Sequence, residues 1–169
     1  MVRKMEQMGI YFGRKQMNIN NFKYSWRFID ERYAKFSDIE LSDIEVLSAK
    51  ITYQNWKKII HNKSKVFEES EYINLILDKK IPIFIYDCGW GDNQREYCTS
   101  KILSAYLYDS LLSLNIKLLY DYHSGLEINS KLFCEKWSDF CYPSDSILII
   151  CDSWLLIYYE DVIYGPIKF

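Results

Sequence analysis

Residues 146–169 read SILIICDSWLLIYYEDVIYGPIKF and consist of three short apolar runs separated by turns. The runs SILIICD, SWLLIYYE and DVIYGPIKF are rich in isoleucine, leucine and tyrosine, as is typical of strands. The connections between them contain too few residues for a crossover helix, so neighbouring strands must run antiparallel. The end of the chain therefore predicts an antiparallel β-meander.

Upstream of the meander, helical and strand-like patterns alternate. Helices are predicted from about Asp43, over 53–63 behind a Thr52 cap, over 71–79, from Asn93 to about Leu114, and over 131–140 behind a Ser130 cap. Strands are predicted over 81–87, beginning at Pro82, and over 117–123 and 126–129, with a short strand or extended segment in 24–36. Residues 1–23 predict an irregular lead-in. Without a linker or an internal repeat, the chain predicts a single α+β domain over 1–169, with helices packed on a mainly antiparallel sheet.

Length and composition are those of an ordinary globular domain. The 169 residues are 49% hydrophobic and 26% charged, which excludes a disordered chain or a collagen-like repeat. The longest apolar region, 147–159, is interrupted by Asp152 and is shorter than the roughly 20 residues that span a bilayer. Five cysteines without a Cys-x-x-Cys pair, and no secretory pattern at the start, favour reduced thiols in the cytosol. We therefore expect a cytoplasmic protein.

Charge and aromatic residues both allow a role in binding another protein. Residues 1–80 carry 15 Lys and Arg against 11 Asp and Glu, whereas residues 81–169 carry 6 against 12. An acidic second half would attract a basic partner, although solvated loops explain the same acids. Aromatic residues make up 17% of the chain, and tyrosine and tryptophan are typical of interfaces. The codon bias of an AT-rich gene would also explain this aromatic content.

The loop YDCGWGDNQREYC (86–98) follows a predicted strand and precedes a predicted helix, as phosphate-binding loops do. It lacks the third glycine of a dinucleotide fingerprint and the Gly-Lys-Ser/Thr of a Walker loop. Asp87 and Asp92 would also repel phosphates. Together with Glu96 they can instead offer oxygen ligands to Mg²⁺, which defines a metal-dependent hydrolase or nuclease as an alternative function. Against this, the same acids can be solvated residues that cap the next helix.

Other chemistry has less support in the sequence. Only His61 and His123 can act as the base of a nucleophilic mechanism, and no spacing links either to a cysteine or a serine. Zinc is implausible with two histidines and scattered cysteines. No cofactor is predicted. RNA binding through the first half remains a third possibility, because basic residues alternate there with aromatics. These residues are Arg3, Lys4, Arg14, Lys15, Lys23, Arg27, Lys57, Lys58, Lys63 and Lys65.

Two parts of the chain, 24–47 and 126–169, resemble a known family. The second contains a capped helix with Trp137 and Phe140, an Asp145 turn, and strands that end in a hairpin with Gly165. Both parts are similar to bacterial immunity proteins of contact-dependent growth inhibition systems. The resemblance implies a cytosolic protein without enzymatic activity that neutralises a cognate toxin, usually a nuclease domain and often an RNase, by covering its active site or substrate groove.

A basic nuclease would be met by carboxylates placed where its phosphates normally lie, together with aromatic anchors. From the residues alone we predict a partner-binding set in the acidic loops and turns. Its members are Asp87, Trp90, Asp92, Glu96, Asp121, Tyr122, Glu160 and Asp161.

Overall fold

The computed structural model describes residues 18–33, 36–60, 83–85, 87–109, 115–152 and 154–168. Its centre is a seven-stranded sheet in the order β1-β4-β3-β5-β6-β7-β2. The strands are β1 (Ile44–Val46), β2 (Ile83–Ile85), β3 (Asn115–Leu119), β4 (Gly125–Asn129), β5 (Ser146–Cys151), β6 (Trp154–Tyr159) and β7 (Val162–Lys168). Every pairing is antiparallel, and β5, β6 and β7 form consecutive hairpins. The predicted α+β class and the C-terminal meander are confirmed.

Helices cover both faces of this sheet. They are α1 (Trp26–Ile29), α2 (Asp38–Ser42), α3 (Ala49–Ile59), α4 (Asn93–Leu103), α5 (Ser130–Glu135) and α6 (Trp137–Phe140), with a 3-10 turn at Ile19–Asn21. A stretch of π-helix, Ser104–Asp109, continues α4. Within the described residues, no helix has the length and apolarity needed to cross a membrane.

The two faces of the sheet bury two separate clusters. On β5, Ile147 and Ile149 join the cluster beneath α1, α4, α5 and α6, whereas Leu148 and Ile150 join the cluster beneath α3. Successive strand residues point to opposite faces, so a strand covered on both sides is apolar throughout. This explains why SILIIC shows no alternation of apolar and polar residues.

Two predictions near the start of the chain are wrong. The segment predicted as a strand within 24–36 forms the helix Trp26–Ile29, which buries Phe28. The helix predicted from Asp43 instead spans Asp38–Ser42, because Ser37 and Glu40 form the capping box. Ser42 and Glu45 have the same Ser-x-x-Glu spacing, but Ser42 is the last residue of the helix and the chain continues through Asp43 into β1. The two patterns, at 37–40 and 42–45, are equivalent in sequence, and the structure uses the first.

Other boundaries move by a few residues. Ser48, not Thr52, caps α3, and Asn129, not Ser130, caps α5; Thr52 and Ser130 are buried inside their helices. The helix predicted from Asn93 begins there but changes to π-helix at Ser104, and the strand predicted over 117–123 spans Asn115–Leu119. The helix predicted over 71–79, His61, Pro82 and most of the predicted lead-in lie outside the described residues.

Candidate partner-binding edge of the sheet

The eight predicted site residues all lie at one end of the sheet. Strand register places the end of β2, the turn between β3 and β4, the start of β5 and the turn between β6 and β7 at the same edge. We call this end of the sheet, which is formed by strand ends and turns rather than by an outer strand, the acidic edge. Its two hairpin turns are three strand spacings apart, or roughly 14 Å at the usual separation of neighbouring strands.

The loop after β2 has a defined shape that depends on Gly89. Gly89 has φ +77°, and a β-carbon there would lie 2.2 Å from the Arg95 β-carbon. The amide of Cys88 donates to the Asp161 carbonyl at 2.8 Å, and the Thr99 hydroxyl donates to the Cys88 carbonyl at 2.9 Å. These contacts join the loop to the β6–β7 turn on one side and to α4 on the other. Hydrogen bonds to both neighbours therefore hold the loop in a defined position.

Two of the three carboxylates proposed as Mg²⁺ ligands hold the backbone instead. Asp92 caps α4 by accepting from the amides of Gln94 at 3.0 Å and Arg95 at 3.1 Å. Glu96 accepts from the Gly91 amide at 2.5 Å and from the Ser138 hydroxyl at 3.1 Å. These oxygens of Asp92 and Glu96 therefore already accept hydrogen bonds from the protein itself.

The third carboxylate, Asp87, has φ +52° and forms an ion pair with Arg95. Across the described residues, no group of three His, Cys, Asp or Glu side chains is arranged to hold a metal ion. The geometry of Asp87, Asp92 and Glu96 therefore fits a capped loop better than a metal centre.

Glu160 and Asp161 form the two-residue turn between β6 and β7. Both have positive φ, 49° and 57°, as a type I′ hairpin requires. Burial raises the pKa of the Asp161 carboxyl, and the amides of Gly89 and Trp90 oppose this shift. The hydroxyl of the fully buried Tyr158 also opposes the shift, although it and one Asp161 carboxylate oxygen make no hydrogen bond of normal geometry among the described residues.

The neighbouring thiol is unsuited to act as a nucleophile. Burial, reinforced by the charge of Asp161, raises the pKa of Cys88 to about 12. A thiol must ionise to attack a substrate, so Cys88 is a structural residue at neutral pH.

The β3–β4 turn carries the remaining two predicted residues. Asp121 accepts from the amides of His123 and Ser124, at 2.8 and 2.7 Å, and pairs with Lys23 at 3.3 Å. Burial would raise the pKa of Asp121, but these hydrogen bonds lower it overall. Tyr122 is half-buried and packs against His123. This turn therefore lies at the same edge as the loop after β2 but does not touch it through any of these contacts.

A buried arginine lies between the two turns. Arg27 is 3% exposed and makes a two-pronged ion pair with Asp145, with distances of 2.5 and 2.8 Å. Burial would lower the pKa of Arg27, but Asp145 raises it overall. Four aromatic rings surround the guanidinium carbon within 6 Å. Their centroids lie 4.3 Å (Tyr142), 4.7 Å (Tyr24), 5.2 Å (Trp26) and 5.6 Å (Tyr120) away.

Above Arg27, four side chains form a continuous row that we call the aromatic ridge: Trp90, Tyr142, Trp26 and Tyr33. Consecutive ring centroids are 5.4, 5.6 and 4.6 Å apart. Trp90 is 41% exposed and Tyr33 55%, while the two central rings are half-buried. The Trp90 indole donates to the Ser138 carbonyl at 3.0 Å, which fixes one end of the row.

Sequence reasoning identified only Trp90 of this ridge. Tyr33 and Trp26 lie in a segment predicted to be extended, and Tyr142 lies in a turn. Arg27 and Asp145 are 118 positions apart, so no local pattern links them. The one available signal is their composition, since an arginine flanked by aromatics favours a cation–π cluster.

Comparison with known proteins adds no relative to this description. No family model matches the chain, and neither the curated proteins nor the solved structures contain a significant match to it. The function must therefore be argued from the geometry of the acidic edge.

Proposed function

We propose that the protein is a bacterial immunity protein that neutralises a cognate toxin domain, a basic nuclease and most simply an RNase, by forming a one-to-one complex in the cytosol. The single observation that carries the proposal is the acidic edge itself, which combines a row of partly exposed aromatic rings with carboxylates that pair with no described cation. Aromatic anchors surrounded by charge are the composition of a protein-binding surface.

The charge balance of the edge supports a basic partner. The five cations described in this region are already paired: Lys23 with Asp121, Arg27 with Asp145, Arg32 with Asp30, Arg95 with Asp87, and Lys136 with Glu40. Five more carboxylates have no ion pair within the described part of the chain: Asp92, Glu96, Asp139, Glu160 and Asp161. The edge therefore carries a net negative charge, which accelerates encounter with a basic surface.

Neutralisation follows from placing this edge over the toxin's substrate groove. A nuclease groove is lined with cations that bind phosphates, and carboxylates can replace those phosphates. The rigid loop after β2 and the two hairpin turns present the carboxylates without the entropic cost of ordering a flexible segment. The toxin is then blocked without any reaction on the inhibitor.

The structure offers less to the two alternatives. A metal-dependent hydrolase would need Asp87, Asp92 and Glu96 as ligands, and all three serve the loop or α4. If that function were correct, millimolar Mg²⁺ would raise the melting temperature, and Asp92→Asn would abolish the rise. For RNA binding, Arg27 is buried and is not placed to contact phosphate, and the exposed Lys23 already pairs with Asp121. Lys57 and Lys58 on α3 are exposed, so they are the described residues of this basic set that could still contact RNA.

Co-expression tests the proposed function. The toxin domain encoded by the neighbouring upstream gene should stop growth when produced alone, and this protein should restore growth when produced with it. A wild-type protein that is well expressed and fails to restore growth would refute the proposal.

Two charge reversals then test the binding face. Glu160→Lys changes an exposed turn residue at the acidic edge, and Asp152→Lys makes the same change at the opposite end of the sheet, after β5. We expect Glu160→Lys to weaken protection and Asp152→Lys to leave it unchanged. Equal protection by both variants would place the toxin on another surface.

A further inference from the structure

We infer that the aromatic ridge, rather than the carboxylates around it, is the centre of the docking surface, and that its occupant is a basic protein surface that lays arginine or lysine side chains against its exposed rings, Trp90 at one end and Tyr33 at the other. This inference rests on the proposed function and names the recognition chemistry of the same site.

The ridge is rigid before any partner arrives. Its central rings, Trp26 and Tyr142, pack on the guanidinium of Arg27, which Asp145 holds by two hydrogen bonds. Asp145 also accepts from the Tyr142 amide at 2.8 Å. A row of rings fixed from below gives contact area at little cost in side-chain entropy, which is a property of binding hot spots.

The chemistry of the occupant follows from what surrounds the ridge. Aromatic faces attract cations, and the rings of this cluster already surround one guanidinium. Asp139 lies three residues before Tyr142 in the chain, and Glu96 is fixed by the Gly91 amide next to Trp90; neither has an ion pair among the described residues. A cationic side chain placed on the ridge would therefore be attracted by both the rings and the carboxylates.

The same charges argue against other occupants. A second copy of this chain would bring its own acidic edge against the first, and like charges would repel. A nucleic acid would place phosphates among unpaired carboxylates. A basic protein is the occupant that satisfies both the aromatic and the acidic parts of the surface.

Matched tyrosine variants test this inference on the complex with the toxin domain. Tyr33→Ala removes an exposed ring of the ridge. As the control, Tyr97→Ala removes a ring on α4 that is 62% exposed and whose centroid lies 5.2 Å from Lys101 Nζ. Calorimetric titration should show the Kd weakened at least about tenfold by Tyr33→Ala and by Trp90→Ala, and by no more than about twofold by Tyr97→Ala. Melting curves check that each variant is folded.

If the wild-type protein binds the toxin and both ridge variants keep its affinity, the inference fails while the proposed function stands. A second measurement does not depend on the toxin. Titration with hexa-arginine, followed by indole nitrogen–proton NMR signals, should shift those of Trp90 and Trp26 and leave those of the buried Trp56 and Trp137 in place. An unchanged Trp90 signal, or a stronger response to a single-stranded oligonucleotide, would overturn the assignment of a basic protein.

Discussion

Replacing Arg27 by methionine tests whether the buried ion pair holds the acidic edge together. The side chains of Arg27 and Asp145 are 4% and 10% exposed, so the substitution leaves a carboxylate in the interior without its cation. Breaking such a pair costs about 3–5 kcal/mol, and removing the cation from its ring of aromatic side chains destabilises the fold further. At about 2–4 °C per kcal/mol for a chain of this size, the melting temperature should fall by about 6–20 °C.

Urea unfolding followed by tryptophan fluorescence gives the free energy of unfolding, provided that the m-value is unchanged. A double-mutant cycle supplies the control. Asp145→Asn keeps an acceptor for the Tyr142 amide without the charge, so the double variant should be more stable than Arg27→Met alone. A loss below about 1 kcal/mol for Arg27→Met, or no coupling in the cycle, would refute the reasoning that this pair fixes the ridge.

Substitutions at Gly89, Asp92 and Asp161, two of them with a matched control, test the loop after β2 and the β6–β7 turn. In urea unfolding, Gly89→Ala should lower the free energy of unfolding by at least about 2 kcal/mol, because alanine adds strain at a positive φ and clashes with Arg95. Gly91 also has a positive φ, +81°, but open space around it, so Gly91→Ala should cost less. Equal losses for the two variants would contradict the clash. Asp92→Ala should cost about 1 kcal/mol and Asp92→Asn less, since asparagine also caps helices; equal losses would deny the cap. Asp161→Asn should raise the melting temperature at pH 7.

The pH dependence of that last variant has a definite sign. Burial raises the pKa of the Asp161 carboxyl in the folded state, so its neutral form is favoured there. The resulting stability is present at pH values below the ordinary pKa of the group and is lost as pH rises through the raised value. The advantage of Asp161→Asn over the wild type should therefore shrink as pH falls from 7 to 4. A difference that is constant with pH would show that the pKa of this carboxyl is the same in the folded and unfolded states, and would contradict the raised value.

The periodicity of apolar residues predicted the elements whose sequence pattern fits one structure only. It failed where two structures fit the same pattern. The meander was predictable because three apolar runs with short turns allow few other arrangements. By contrast, the segment with Trp26 and Phe28 is as apolar as a strand, yet it forms a helix that packs against α6 and buries Phe28. The caps at Ser48 and Asn129 were missed for a similar reason. Thr52 lies one turn after Ser48, and Ser130 follows Asn129 directly, and each of these alternatives also fits a capping pattern; in the structure both Thr52 and Ser130 are buried.

The eight predicted site residues lie together at one end of the sheet, but their local hydrogen-bonding roles were not predicted. Acidic loop residues were identified because charge and turn propensity are visible in sequence. Their roles were not visible, since the hydrogen bonds of Glu96 to Gly91 and Ser138 depend on how α6 packs against the loop. The aromatic ridge was missed because its four rings come from three separate segments. A single sequence carries no signal for such contacts, and only the assembled sheet edge brings them together.

Backbone strain gives a reason to regard the acidic edge as more than a stable loop. In the described part of the chain, the non-glycine residues with positive φ are Asp87, Glu160 and Asp161, and all three lie at this edge. Asparagine and glycine suit such positions better, and a type I′ turn favours Asn-Gly over Glu-Asp. Carboxylates at these positions lower stability, as does the partial burial of Asp161. Strain of this kind is typical of functional sites. These three residues place negative charge at the acidic edge at a cost in stability, as the proposed basic partner would require.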